Sequence, residues 1–182
     1  LFEQAAGTLD NQGTFRVTAS ERFDFIGGSI TGNAIELDEA TLSISTSGAG
    51  AFNVRRNSTL IGDVAAAQTV SVISGVAGAT ATTTSANGFT NDGVINLTSQ
   101  DNARTTVLSV TAGTLANNGT LNVEPGVGGA RQIASNLTND GALNANTSVT
   151  LAGASTTYTN NNAFNVAPGS TVTLDGGGQL LF

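Results

Sequence analysis

Apolar and polar residues alternate along most of this chain, and in five places the same short insert interrupts the alternation. Leu9, Asn11, Gly13, Phe15 and Val17 form one copy, and Phe89, Asn91, Gly93, Ile95 and Leu97 a second. Leu115, Asn117, Gly119, Leu121 and Val123 follow, then Leu137, Asn139, Gly141, Leu143 and Ala145, then Tyr158, Asn160, Asn162, Phe164 and Val166. Each copy reads apolar, x, Asn, x, Gly, x, apolar, x, apolar: a strand of period two, a two-residue corner and a second strand. The corner is expected to need a left-handed backbone, which Gly supplies with little strain and Asn162 tolerates in the last copy.

From Phe89 the copies recur after 26, 22 and 21 residues, and the 80 residues separating Leu9 from Phe89 hold about four more such steps. A repeat of this length predicts a solenoid. Between copies, Val149 and Leu151 line a third strand and Gly153 to Thr156 return the chain to the start. The next cycle repeats this with a Pro168-Gly169 corner, Val172 and Leu174, and Gly176 to Gly178. Three short strands and three corners per turn are the cross-section of a parallel β-helix. The same cycle fits the first 45 residues through Phe23 and Phe25, Ile30, Ile35 and Leu37, Leu42 and Ile44, where the abundance of Phe suggests a wider section. Phe52, Val54, Leu60, Val64, Val70 and Val72 continue the inward alternation; Ala77 to Asn87 reads either as a protruding loop or as a face of small residues. The expected fold is all-β: a single β-solenoid domain over residues 1–182, of about eight turns of roughly 20–26 residues, roughly 35–40 Å long.

Stacking gives the repeated Asn a task. With turns about 4.8 Å apart, Asn11, Asn91, Asn117, Asn139 and Asn160 would form a structural ladder of side-chain amides, each satisfying the next where burial would otherwise be costly. Gly13, Gly93, Gly119, Gly141 and Asn162 are the matching turn residues.

Composition narrows the function. Only 10% of residues are charged, against about 25% in ordinary globular chains, yet the 39% that are hydrophobic fall in strict alternation, which favours stacked strands over disorder. Cys and His are absent, and all six basic residues are Arg, so disulfides, thiolate or imidazole metal sites and Lys-Asn isopeptide bonds are excluded. A net charge of −7 argues against electrostatic binding of nucleic acid or an anionic membrane. No apolar run is long enough to predict a membrane-spanning helix. Apolar residues open and close the sequence, as expected of cuts through a longer repeat or of the ends of a processed subunit.

The segments GTLDNQGTFRV from Gly7, GFTNDGVINL from Gly88, GTLANNGTLNV from Gly113 and NLTNDGALNA from Asn136 resemble the repeat regions of large bacterial secreted adhesins, the filamentous-haemagglutinin-like exoproteins and autotransporter passenger domains. This resemblance implies an extracellular, right-handed β-helix acting as a stalk, filament or adhesive surface, secreted or held at the cell surface or in biofilm matrix. The implied partners are further copies or a continuation of the same solenoid, and surface glycans.

Catalytic and binding alternatives have specific candidates. Asp92 and Asp140 hold the same corner position two turns apart, about 9.6 Å at a regular rise, which is the upper edge of an inverting glycosidase pair. Asn118 between them instead suggests relief of like-charge repulsion, and Asp-Gly is common turn chemistry, so no catalytic residue is assigned. Asp175 before three Gly faintly resembles a calcium-binding repeat without its recurrence, and Asp38 and Glu39 have no acidic companions; no metal or cofactor is expected. Thr82, Thr83 and Thr84, or Thr171 and Thr173, suit a hydroxylated ice-binding face only if the pattern recurs in every turn. Sequons at Asn57, Asn96, Asn118, Asn136 and Asn146 follow from the abundance of Asn and Thr. Arg55 and Arg56, the one basic pair, are expected at a solvated corner, with a glycan site as the alternative. The sequence therefore predicts a structural or adhesive solenoid and not an enzyme, with a carbohydrate-binding or glycan-cleaving β-helix and an ice-binding solenoid as alternatives.

Overall fold

The computed structural model describes residues 1–101 and 103–182, and apart from one 3₁₀ turn at Val76–Gly78 its regular structure is all strand. The strands wind about three faces. Along the third face, eight of them stack in chain order: Arg16–Thr18, Ile35–Asp38, Gly50–Arg55, Gln68–Ser74, Val94–Ser99, Thr120–Val123, Ala142–Ala145 and Ala163–Val166. The first face runs from Phe2–Gln4 through Arg22–Phe25, Thr41–Ile44, Asn57–Ile61 and Ala81–Ser85 to Val149–Leu151 and Val172–Leu174. The long strands Thr106–Asn117 and Arg131–Asn139 pass from the first face onto the second, where they stack with Phe89–Asn91, Thr157–Asn160 and Gln179–Leu181. Within this stack each chain segment pairs in parallel with the one a turn later, the arrangement of a parallel β-solenoid of about eight turns.

Register carries the repeat into three dimensions. Val17 lies beneath Leu37, followed in file by Val54, Val72, Leu97, Val123, Ala145 and Val166. Because strand side chains alternate, each column is wholly inward or wholly outward. The inward columns merge into one buried cluster reaching from Val17 to Tyr158. Each fully buried Val, Leu, Ile or Phe there contributes on the order of 1.5–3 kcal/mol, so the stack is held mainly by its greasy files.

Turn length varies more than expected. The third-face steps are 20, 17 and 18 residues at the N-terminal end, then 25, 26, 22 and 21. The 17- and 18-residue turns carry no second-face strand: between Ser29–Gly32 and Phe89–Asn91 that face holds, among the described residues, an isolated bridge from Val64 to Asn91 and no strand. Here the chain cuts the corner over aromatic rings. A Cβ on Gly50 would stand 3.1 Å from the Phe52 ring and 3.2 Å from that of Phe25. The ring of Phe52 meets Phe25 and Phe23 at centroid distances of 5.7 and 6.1 Å. The Phe-rich part therefore has the shortest turns, ring volume standing in for chain, and not the wider section its composition suggests. Buried Gln68 braces the shortcut, its Nε2 donating to the Thr46 and Gly48 carbonyls at 2.8 and 3.0 Å while Oε1 accepts from the Ala65 amide.

The longer turns gain residues at the corner from third face to first, at residues 75–80, between Ser99 and Thr106, and at 124–130. Of the two readings of Ala77 to Asn87, the small-residue face fits: Ala81–Ser85 is a first-face strand with Ala81, Thr83 and Ser85 inward and buried.

Candidate functional site

The repeated corner is the most elaborated local structure. Asn91 Nδ2 donates to Asn117 Oδ1 at 2.7 Å, Asn117 Nδ2 to Asn139 Oδ1 at 2.6 Å, and Asn139 Nδ2 to Asn160 Oδ1 at 2.7 Å. Each amide also reaches a carbonyl in the turn above, those of Thr120, Ala142 and Ala163. Main chain completes the unit: the Asn91 carbonyl accepts from the amides of Asn118 and Gly119, and the Asn117 carbonyl from those of Asp140 and Gly141. Asn91, Asn117 and Asn139 are buried, so bonds passed along the axis replace water that cannot reach them.

Asn11 lies outside this file. Its register partner is Gly32, and its Nδ2 instead donates to the carbonyls of Asn33 and Ala34 at 3.0 and 3.3 Å. Val64 stands below Asn91, so the ladder begins there, and Asn91 Oδ1 is buried without a protein partner.

The corner glycines serve a different purpose from the one expected. None of Gly13, Gly93, Gly119, Gly141 or Asn162 has a positive φ. A Cβ on Gly93 would approach the Ala65 carbonyl oxygen to 2.3 Å, one on Gly119 that of Gly93 to 2.2 Å, and one on Gly141 that of Gly119 to 2.1 Å. Close stacking of turns, and not backbone handedness, selects glycine. Gly13 lies in the first turn, and a Cβ there would meet open space. Asn162 lies in the last corner, is exposed, and donates from Nδ2 to the Asp140 carbonyl at 2.8 Å.

A second amide ladder runs up the outside of the third face. Asn165 donates to Asn144, Asn144 to Asn122 and Asn122 to Asn96 at 2.8–2.9 Å, and Asn96 donates to Ser71 Oγ at 3.2 Å. Its signal was present in the sequence as the Asn between the two apolar residues that close each of the last four copies. Toward the N-terminus the same column becomes ionic through Arg16 and Glu36. Arg16 Nε reaches Glu36 at 2.7 Å, while Arg55 grips both Glu36 oxygens at 2.8 and 2.9 Å. Arg56 pairs with Asp38 and Glu39. Arg55 and Arg56 are thus structural ion-pair partners, and Arg55 is buried where a solvated corner was expected.

The corner column carries Asp92, Asn118, Asp140 and Asn161 in successive turns. Asn118 donates to Asp92 at 2.9 Å and Asn161 to Asp140 at 2.8 Å, so amides separate and bind the carboxylates. Thr83 points inward and is fully buried, which removes it from any outward hydroxyl array. The outward first-face columns read Thr59, Thr84, Ser109, Ala134 and Asn57, Thr82, Val107, Gln132, Thr150, Thr173, threonine rows with interruptions. Among the described residues no group of three or more acidic side chains stands close enough to hold a metal ion.

Two features lacked any sequence signal. Arg131 is almost fully buried without a carboxylate, held by the carbonyls of Glu124, Pro125, Gly128, Gly129 and Ala130 and by Ser99 Oγ. Burial lowers the pKa of its guanidinium. The missing second-face strands leave a groove of about 500 Å³ lined by Ser45, Thr46, Ser47, Gly62, Asp63 and Asp92 among others.

Phe2, Leu9 and Phe15 at one end of the described stack, and Val172, Leu180 and Phe164 at the other, are partly buried core residues, one from each face. Among the described residues no helix is long and apolar enough to cross a membrane. Compared with family models, with curated proteins and with solved structures, the chain matches none.

Proposed function

We propose that this chain is a structural or adhesive β-solenoid, forming a stalk or filament at the bacterial surface or in biofilm matrix, in keeping with the adhesin repeats it resembles. The observation that carries this reading is the stack itself, about eight parallel turns held by inward apolar files and by amides bonded along the axis. At either end of the described stack one partly buried apolar side chain per face packs on the core, and another solenoid layer would cover it. A second copy stacked end to end would place Phe2 near Val172, Leu9 near Leu180 and Phe15 near Phe164; a continuation of the same chain would cover them equally well. The walls favour mechanical work, since their polar columns are spent on bonds along the axis.

Immunogold electron microscopy of the source cells tests this. Label on extracellular filaments, with an axial diffraction spacing near 4.8 Å, is the expected outcome; label confined to the cytoplasm would overturn it.

A second reading, a glycan-binding or glycan-cleaving β-helix, draws on the groove with its hydroxyls and two carboxylates. Retention on immobilised oligosaccharides that is lost in Asp63→Asn would favour it, and release of reducing sugars would favour cleavage.

A further inference from the structure

The chain contains two Asn-Gly pairs, Asn87-Gly88 and Asn118-Gly119, and the fold treats them oppositely. At the corner ladder, the Gly119 amide donates to the Asn91 carbonyl at 2.8 Å and Asn118 Nδ2 to Asp92 at 2.9 Å. Asn87 lies in the bend between the first and second faces, where it and Gly88 are both exposed. Among the described residues neither the Asn87 side-chain amide nor the Gly88 N–H has a protein partner. Both residues line a pocket of about 200 Å³ that shares Gly62 with the larger groove.

We propose that Asn87 is a site of spontaneous self-modification, deamidating through a succinimide, and that the corner ladder protects Asn118 from the same reaction. Glycine brings no side chain of its own over the attacking nitrogen, although the Gly88 main chain packs close to Thr114 of the next turn, and asparagine is among the thermally labile residues. The Gly88 nitrogen gives up its proton to solvent base and attacks Asn87 Cγ. A C–N bond forms, the Cγ–Nδ2 bond breaks, and Nδ2 leaves as ammonia after taking up a proton from solvent. Water then opens the ring, at Cγ to give aspartate or at the main-chain carbonyl to give an isoaspartyl link. Either product adds a negative charge beside a groove that already carries Asp63 and Asp92, and the isoaspartyl form lengthens the backbone at the bend between the strands Ala81–Ser85 and Phe89–Asn91 of one turn. At Asn118 the same attack must first break both hydrogen bonds, which slows it roughly tenfold.

The test is peptide mapping by mass spectrometry after incubating the intact folded chain in mildly alkaline buffer, with a parallel sample in urea. The folded protein should exchange amide for carboxylate at Asn87 about tenfold faster than at Asn118, with isoaspartate detectable by methyltransferase labelling. In urea the two rates should converge, and Asn87→Gln, an exposed substitution, should abolish the early product. Equal rates in the folded protein, or faster loss at Asn118, would overturn the proposal.

Discussion

Replacing Asn117 by Ala removes the middle rung of the buried ladder. Asn139 Oδ1 loses its donor at 2.6 Å and the Ala142 carbonyl loses one at 3.1 Å, while Asn91 Nδ2 keeps the Thr120 carbonyl. A buried acceptor stripped of its partner costs about 1–3 kcal/mol, and a second weakened bond about 1 more. With the small void left by the amide, the expected loss is about 3 kcal/mol. The matched control is Asn122→Ala in the outer ladder, where Asn122 bonds to Asn96 and Asn144 on a partly solvated wall. Water can replace those partners, so its cost should stay within about 0.5 kcal/mol. Urea unfolding followed by circular dichroism reads both as midpoint shifts at unchanged slope. Combining Asn117→Ala with Asn139→Ala should show a coupling of about 1 kcal/mol. Equal costs for the inner and outer substitutions would refute the idea that burial of the file gives the amides their weight.

Other expectations address separate parts of the stack. Gly119→Ala should destabilise strongly, because its Cβ would press to 2.2 Å on the Gly93 carbonyl oxygen; Gly13→Ala, facing open space at negative φ, should be neutral or stabilising by up to about 1 kcal/mol. Thermal melts of the two variants check this contrast. Arg131→Met should cost about 3 kcal/mol by orphaning the carbonyls of the loop at 124–130 and should speed hydrogen exchange there. Burial raises the pKa of the Tyr158 hydroxyl, which lies 2.9 Å from the Ala152 carbonyl and 3.1 Å from that of Ile133. The folded state then holds its proton longer than the unfolded chain does. Stability should therefore fall as pH rises above the unfolded Tyr value of about 10 and toward the higher folded value, and Tyr158→Phe should flatten that slope in alkaline denaturation curves.

What could be read from the sequence was whatever recurs. The Asn-x-Gly copies fixed the passage from second face to third, and Asn91, Asn117, Asn139 and Asn160 stand in the file expected of them. Features tied to a single turn were not legible. The cut corner over Phe25 and Phe52 depends on two rings meeting across turns, and the Arg131 cage depends on carbonyls that carry no residue signature. Asn11 shares the motif but stacks against Gly32, so the motif identified a corner and not a neighbour. The glycine rule was misattributed because a tight turn and a close stack ask for the same residue; only the approach of the Gly93 carbonyl to Gly119 separates them.

The stacking itself is tested most directly by disulfide cross-linking on the outer third face, in a chain that has no native cysteine. Thr120 and Ala142 are register partners one turn apart, and Ala163 is the partner of Ala142 one turn further on. A Thr120→Cys, Ala142→Cys pair should oxidise readily, whereas Thr120→Cys with Ala163→Cys, about 9.6 Å apart, exceeds the roughly 7 Å limit and should remain reduced. Ready oxidation of the second pair with failure of the first would contradict the parallel stack.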